Sequence, residues 1–196
     1  MKLILATHNE HKRREFARLL AAGDDGEAWA LQALPAQVTL PPEVGETFAQ
    51  NALGKARAAA RATGQASIAD DSGIEAAALG GAPGVRSARY AGQDASDQEN
   101  LDKLLREVPA GGELEYVCVI AYLDPDDGRE RCFEGRCAGR LAAAPRGQGG
   151  FGYDPAFVPD DGPGGLTMAE LSDSQKDAIS HRGRAARALM RWLTEG

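Results

Sequence analysis

The stretch SIADDSG, residues 67–73, sets Asp70 and Asp71 side by side after a short apolar run and just before Ser72 and Gly73. Neighbouring carboxylates supply the oxygen ligands that Mg²⁺ prefers. One of them can also orient or deprotonate a water for attack on phosphorus. The same pair serves equally well as turn-forming aspartates at a strand end. Loops at the carboxyl ends of strands form ligand crevices in open α/β folds, which gives the first use a structural setting.

Four further clusters carry complementary groups. THNEHK, residues 7–12, offers the hydrogen-bonding Thr7 and Asn9 and the cationic Lys12 at a helix start, where backbone N–H groups also bind anions. Helix capping and surface solvation account for the same residues. His8 and His11, flanking Glu10, lack a third close ligand and make no metal site by themselves. Glu43 precedes a helix on which Asn51 and Lys55, four residues apart, share a face. An amide and an ammonium could meet one ligand there, or form an exposed polar stripe. Lastly, GGFGYD, residues 149–154, combines chain flexibility at Gly152 and its neighbours with a flat ring from Phe151 or Tyr153 and an acceptor at Asp154, suited to a base. KDAISHR, residues 176–182, adds donors for a phosphate or a purine carbonyl at Lys176, His181 and Arg182. A structural glycine loop, a cap-region lysine and a solvated basic pair are the plain readings of these last two.

Other chemistries lack their signatures. There is no GxxxxGK[ST] loop, and the glycines after the first strand do not form a dinucleotide fingerprint. His181 has no serine or cysteine partner that the sequence defines. A net charge of -7 gives no general attraction to a nucleic-acid polymer or an anionic membrane. The three cysteines, Cys118, Cys132 and Cys137, form neither a CxxC pair nor a disulfide framework and suit reduced thiols in a cytoplasmic protein. The opening apolar run is too short for a signal peptide or a membrane helix.

The elements that must position these clusters alternate. A strand is expected over residues 2–6, then a helix through Phe16, Leu19 and Leu20, a stop at residues 23–26 and a strand within residues 27–35. The alanine-rich segment 47–63 predicts a second helix. Residues 66–69 predict a strand that ends in a polar loop at Asp70 and Asp71. Ser96 with Glu99 three residues on predicts a capped helix. Two strands joined by PDDGR, near residues 114–142, predict a paired-strand excursion, and a C-terminal helix is expected from Lys176 onward. At 196 residues a single domain of mixed α/β class accommodates all of this.

Taken together, THNEHK, EVGETFAQNALGKA (43–56), ADDSGIEAAALGGAPGVRSARY (69–90), GGFGYDPAF (149–157) and TMAELSDSQKDAISHRGRA (167–185) resemble the Ham1-like inosine triphosphate pyrophosphatase family. The resemblance implies an elongated mixed-sheet α/β fold with two lobes and a central nucleotide-binding cleft, assembled as a homodimer. It implies Mg²⁺ as cofactor and hydrolysis of ITP, dITP and XTP to the nucleoside monophosphate and pyrophosphate. By the same resemblance Thr7, Asn9 and Lys12 belong to the triphosphate side with Lys55 adding charge, and the rest of segment 7–12 is included with them. Glu43 and Asp71 face the metal, Asp71 readies the water with Asp70 as companion, and Ser72 lies at the substrate. Phe151 to Asp154, Lys176, His181 and Arg182 hold the purine and nearby phosphates. His8 stands where a small residue is common, and Gln50 where an acidic one is often found. A non-catalytic purine-nucleotide sensor, or a pyrophosphatase for other modified nucleotides, is the alternative reading.

Overall fold

The computed structural model describes residues 2–21 and 30–195. The helix stop expected at residues 23–26 and the first part of the strand expected over 27–35 lie outside them. The near-continuously apolar β1 (Lys2–Leu5) is buried over three of its four residues, as suits a parallel strand covered on both faces. It pairs in parallel with β2 (Ala30–Ala33) on one side and β3 (Ser67–Ala76) on the other. The sheet continues through β4 (Glu113–Leu123) and β5 (Glu130–Leu141) to the short β6 (Phe157–Pro159), in the order β2-β1-β3-β4-β5-β6. The β5–β6 pairing is antiparallel, which makes the sheet mixed. The paired strands expected near 114–142 are β4 and β5, and they hold the fourth and fifth places in that sheet. Along β5 exposed and buried residues alternate, so one of its faces is solvated.

The helices begin and end on local signals. α1 spans Glu10–Ala21 and buries Phe16 and Leu20. α2 spans Phe48–Thr63, where Thr47 accepts from the Gln50 N–H and the Gln50 side chain accepts in return from the Thr47 N–H. An amide makes this reciprocal cap as a carboxylate would, which accounts for a tolerated glutamine at this position. Gly64, in the left-handed conformation at φ 64°, ends the helix by donating its N–H to the Ala60 carbonyl. α3 (Asp97–Glu107) carries the expected Ser96–Glu99 capping box.

The single C-terminal helix expected from Lys176 is instead two, α4 (Asp173–Ile179) and α5 (His181–Glu195). Ser180 between them is extended at φ -65° and ψ 155°, and its Oγ accepts from the Gly183 N–H, so it serves as the start signal of α5. β3 also departs from expectation. It runs through Asp70 and Asp71 to Ala76, so the two aspartates lie inside a strand and not in a loop at its end.

The chain divides into two compact units, each with its own core. The first comprises Met1–Asp71, Cys118–Gly135 and Ala185–Gly196, and its core gathers Leu3, Leu5, Phe16, Ile68, Ile120, Phe133 and Leu189. The second comprises Ser72–Val117 and Arg136–Arg184, with Ile74, Leu104, Tyr116, Tyr153, Phe157 and Met168 in its core. Among the described residues no helix is long and apolar enough to cross a membrane. Cys118 and Cys137 are buried, Cys132 is exposed, and all three are free thiols.

Candidate active site

In the first unit, β3 and α2 bring the carboxylates to the lysines. Asp70 and Asp71 share the charge environment of Lys55 but differ in their direct contacts. Asp70 Oδ2 lies 2.9 Å from the Lys12 ammonium, which reaches it from the first turn of α1. Asp71 Oδ2 accepts a hydrogen bond of 2.8 Å from the Asn51 amide. That amide is itself fixed, because Asn51 Oδ1 accepts from the Gly45 N–H at 2.8 Å. A Cβ at Gly45 would stand 2.7 Å from the same oxygen, so the close approach needs glycine.

Lys55 forms a tight ion pair with Glu43. Asn51 and Lys55 share the buried stripe of α2 with Ala52 and Ala56, and both are nearly inaccessible, so the exposed polar stripe is ruled out. Burial alone would weaken the Lys55 charge. Asp70, Glu43 and Asp71, with the hydrogen bond to Glu43, outweigh it and raise the lysine above its ordinary pKa. Asp71 moves upward too, first by burial and then by Glu43, against the opposing pull of Lys55, Asn51 and Lys12. A carboxylate that holds protons more strongly than usual, oriented by a fixed amide, is a suitable acceptor for a proton from water.

The remaining residues of segment 7–12 divide. The Asn9 N–H donates to Thr7 Oγ1 at 3.1 Å, and Asn9 Oδ1 caps α1 by accepting from the Lys12 N–H at 3.1 Å. Glu10 instead pairs along the helix surface with Arg13 and Arg14. His8 contacts the Val38 carbonyl, and both His8 and His11 are exposed. Among the described residues no three His, Cys, Asp or Glu side chains come together as a metal cage.

In the second unit, Asp154 is the centre of a buried network. Its Oδ2 accepts from the Lys176 ammonium at 2.7 Å and from the Phe151 N–H at 2.9 Å. Its Oδ1 accepts from the Tyr116 hydroxyl at 3.1 Å. Its acceptor sites are thus largely committed to internal donors, where the sequence reading gave it a base N–H. Tyr153 is buried as well, and its hydroxyl donates to the Ser87 carbonyl at 2.7 Å. Phe151 therefore supplies the accessible flat ring, with the Lys176 ammonium and Arg182 guanidinium 5.3 and 5.6 Å from its centre.

Arg182 also donates to Ser72 Oγ at 2.9 Å, joining two residues that the sequence separates widely. The Gly152 N–H donates to Asp97 at 3.0 Å. His181 lies flat against Tyr116, ring centres 4.5 Å apart and planes 7° from parallel. Sequence reasoning missed Tyr116, Ser87 and Asp97. Tyr116 is hidden in an apolar strand run, and nothing local marks the other two.

Comparison with known proteins places this arrangement. The sequence profile of the Ham1 family matches residues 3–192. The chain belongs to the Ham1 family. It is 49% identical over 195 residues to a dITP/XTP pyrophosphatase of Symbiobacterium thermophilum, covering 97% of this chain and 94% of the relative. It is 46% identical over 201 residues to a dITP/XTP pyrophosphatase of Shigella flexneri, covering 100% and 99%. A solved HAM1 protein from Coxiella burnetii superposes with a TM-score of 0.84 at 38% identity, over the whole of both chains. In this Ham1 chain the resemblance drawn from five sequence segments is thereby established, as is the mixed α/β fold.

The glycine loop around Phe151 gives the first test. Gly150 has φ +69°, and a Cβ there would fall 2.0 Å from Asp154 Oδ2 and 3.0 Å from the Lys176 ammonium. Gly152, at φ +61°, has nothing within 4 Å of the same position. Both alanine variants carry backbone strain of about 1–3 kcal/mol, but only Gly150→Ala also displaces the carboxylate. The urea midpoint of Gly150→Ala should fall clearly below that of Gly152→Ala. Equal midpoints would mean that the crowding around Asp154 costs nothing.

Proposed function

We propose that this chain hydrolyses the non-canonical purine nucleoside triphosphates dITP, ITP and XTP between the α and β phosphates, releasing the nucleoside monophosphate and pyrophosphate. Membership of a family whose relatives bear the name dITP/XTP pyrophosphatase supports the substrate class and the reaction. The observation that carries the chemistry is the gathering of Glu43, Asp70 and Asp71 about the Lys55 charge, with Lys12 on Asp70.

In this reading Asp71 takes the proton of the attacking water while Asn51 holds its carboxylate in place. Lys12 and Lys55 balance phosphate charge as it shifts toward the leaving pyrophosphate. Thr7 and Asn9 serve the triphosphate with the first turn of α1. The pair Glu43 and Asp71 suits a hard divalent cation, since both offer carboxylate oxygen and Glu43 keeps 30% of its side chain exposed. Magnesium commonly takes only one or two protein carboxylates and fills its shell with water and substrate oxygens, so a protein cage is unnecessary. Glu43 and Asp71 would hold Mg²⁺, which when bound polarises phosphate oxygens and neutralises charge.

The second unit takes the purine. Phe151 offers its ring, and His181 or Arg182 donates to the carbonyl at purine position six, where adenine carries an amino group and would leave the donor unpaired. Asp154 holds Lys176 and the Phe151 backbone for that task, and Ser72 steadies Arg182. The same reading carries a cytoplasmic homodimer without a nucleic-acid polymer or membrane partner.

Incubating the purified protein with Mg²⁺ and dITP, ITP, XTP, GTP or ATP separately, and resolving pyrophosphate from orthophosphate, tests the proposal. Pyrophosphate release with kcat/KM highest for the first three is expected. Orthophosphate as first product would overturn the assigned bond. Tight binding with no turnover would favour a nucleotide sensor.

A further inference from the structure

Tyr116 lies in β4, where its neighbours Val117 and Cys118 are ordinary core residues. Its own contacts are different. One face of its ring lies nearly parallel to His181 at 4.5 Å, while Phe157 packs tilted at 4.6 Å. Its hydroxyl donates to Asp154 Oδ1, while Lys176 donates to Oδ2 of the same carboxylate. Burial, with the adjacent Asp154 carboxylate, keeps that hydroxyl protonated far above the usual range, so it is a permanent donor. A single side chain therefore touches both the imidazole at the start of α5 and the carboxylate that anchors Lys176 and Phe151.

We propose that Tyr116 is a positioning residue for purine recognition, its ring setting the plane of His181 and its hydroxyl setting the Asp154 carboxylate. This rests on the reading that the second-unit cluster receives the base. The two contacts act on different groups and can be separated. Leucine removes the ring and the hydroxyl together, whereas phenylalanine removes only the hydroxyl.

A stacked ring shields the protons above it, so the Cε1–H resonance of His181 should lie upfield of those of His8 and His11, the only other histidines. In untagged protein that displacement should persist in Tyr116→Phe and vanish in Tyr116→Leu. Kinetically, Tyr116→Leu should raise KM for dITP about three- to tenfold and narrow the kcat/KM ratio of dITP over dATP by a similar factor, the size of one aromatic pair. Its kcat should stay within about twofold, because the carboxylates and lysines of the first unit are untouched. Tyr116→Phe should recover most of the selectivity and keep only a smaller rise in KM from the lost hydroxyl.

An unshifted His181 resonance in the unaltered protein would overturn the proposal without any variant, so it stays testable should Tyr116→Leu fail to fold. Equal losses of stability and kcat in both variants, with KM and selectivity unchanged, would reduce Tyr116 to a core residue and overturn it as well. Failure of the unaltered protein to hydrolyse dITP would count against the proposed reaction, while the resonance shift would still report on the stack.

Discussion

Replacing Asp71 by asparagine is expected to lower kcat for dITP by about 10³-fold, within the range that general-base catalysis contributes. The substitution keeps the shape of the side chain and leaves an oxygen to accept from Asn51, so the 2.8 Å contact survives. It removes only the capacity to take a proton and the negative charge. Since burial is the first cause that raises the proton affinity of Asp71, a neutral amide suits the position at least as well as a carboxylate does. The folded protein should therefore keep its circular dichroism and its urea midpoint in metal-free buffer, and nucleotide should still bind. A near-normal rate would remove Asp71 from the role of base. Loss of fold together with rate would assign it a structural role instead.

The division between Asp71 and Asp70 shows where the sequence was legible and where it was not. Adjacent carboxylates after an apolar run were visible, but polar residues at that point read as the end of a strand. They lie inside β3 because the strand continues to Ala76 with the polar pair buried. There one carboxylate meets Lys12 directly and the other the Asn51 amide. The helix α2, by contrast, was readable almost to the residue from its alanine-rich run, and the structure adds the Thr47–Gln50 cap and the Gly64 stop that fix its ends. Its Asn51 and Lys55 fell on the expected common face, yet whether that face was wet or buried depended on the strand packed against it. The break at Ser180 had a signal, a serine able to cap a new helix, but KDAISHR contains no glycine or proline to force a stop. The anchors Tyr116, Ser87 and Asp97 left no trace, because each acts through a contact 38 to 66 residues away in the chain.

Asp154→Ala should be strongly destabilising, lowering the unfolding free energy by about 3–5 kcal/mol. Three donors converge on that carboxylate, and the ion pair it makes with Lys176 is almost wholly removed from solvent, at 6% and 4% side-chain exposure. Alanine takes from a buried ammonium, a buried hydroxyl and a backbone N–H the carboxylate that all three share. The cost comes mainly from taking the carboxylate away from a buried charge, so removing the charge as well should return part of it. The double variant Asp154→Ala, Lys176→Met is therefore expected to be more stable in urea than Asp154→Ala alone. Its kcat/KM for dITP should stay low, because Lys176 and the Phe151 loop no longer have the carboxylate that holds them. A double variant no more stable than the single one would mean that the buried pair is not what the alanine breaks. Recovery of stability without recovery of activity would separate the two uses of Asp154, as the partner of a buried cation and as the support beneath the Phe151 loop.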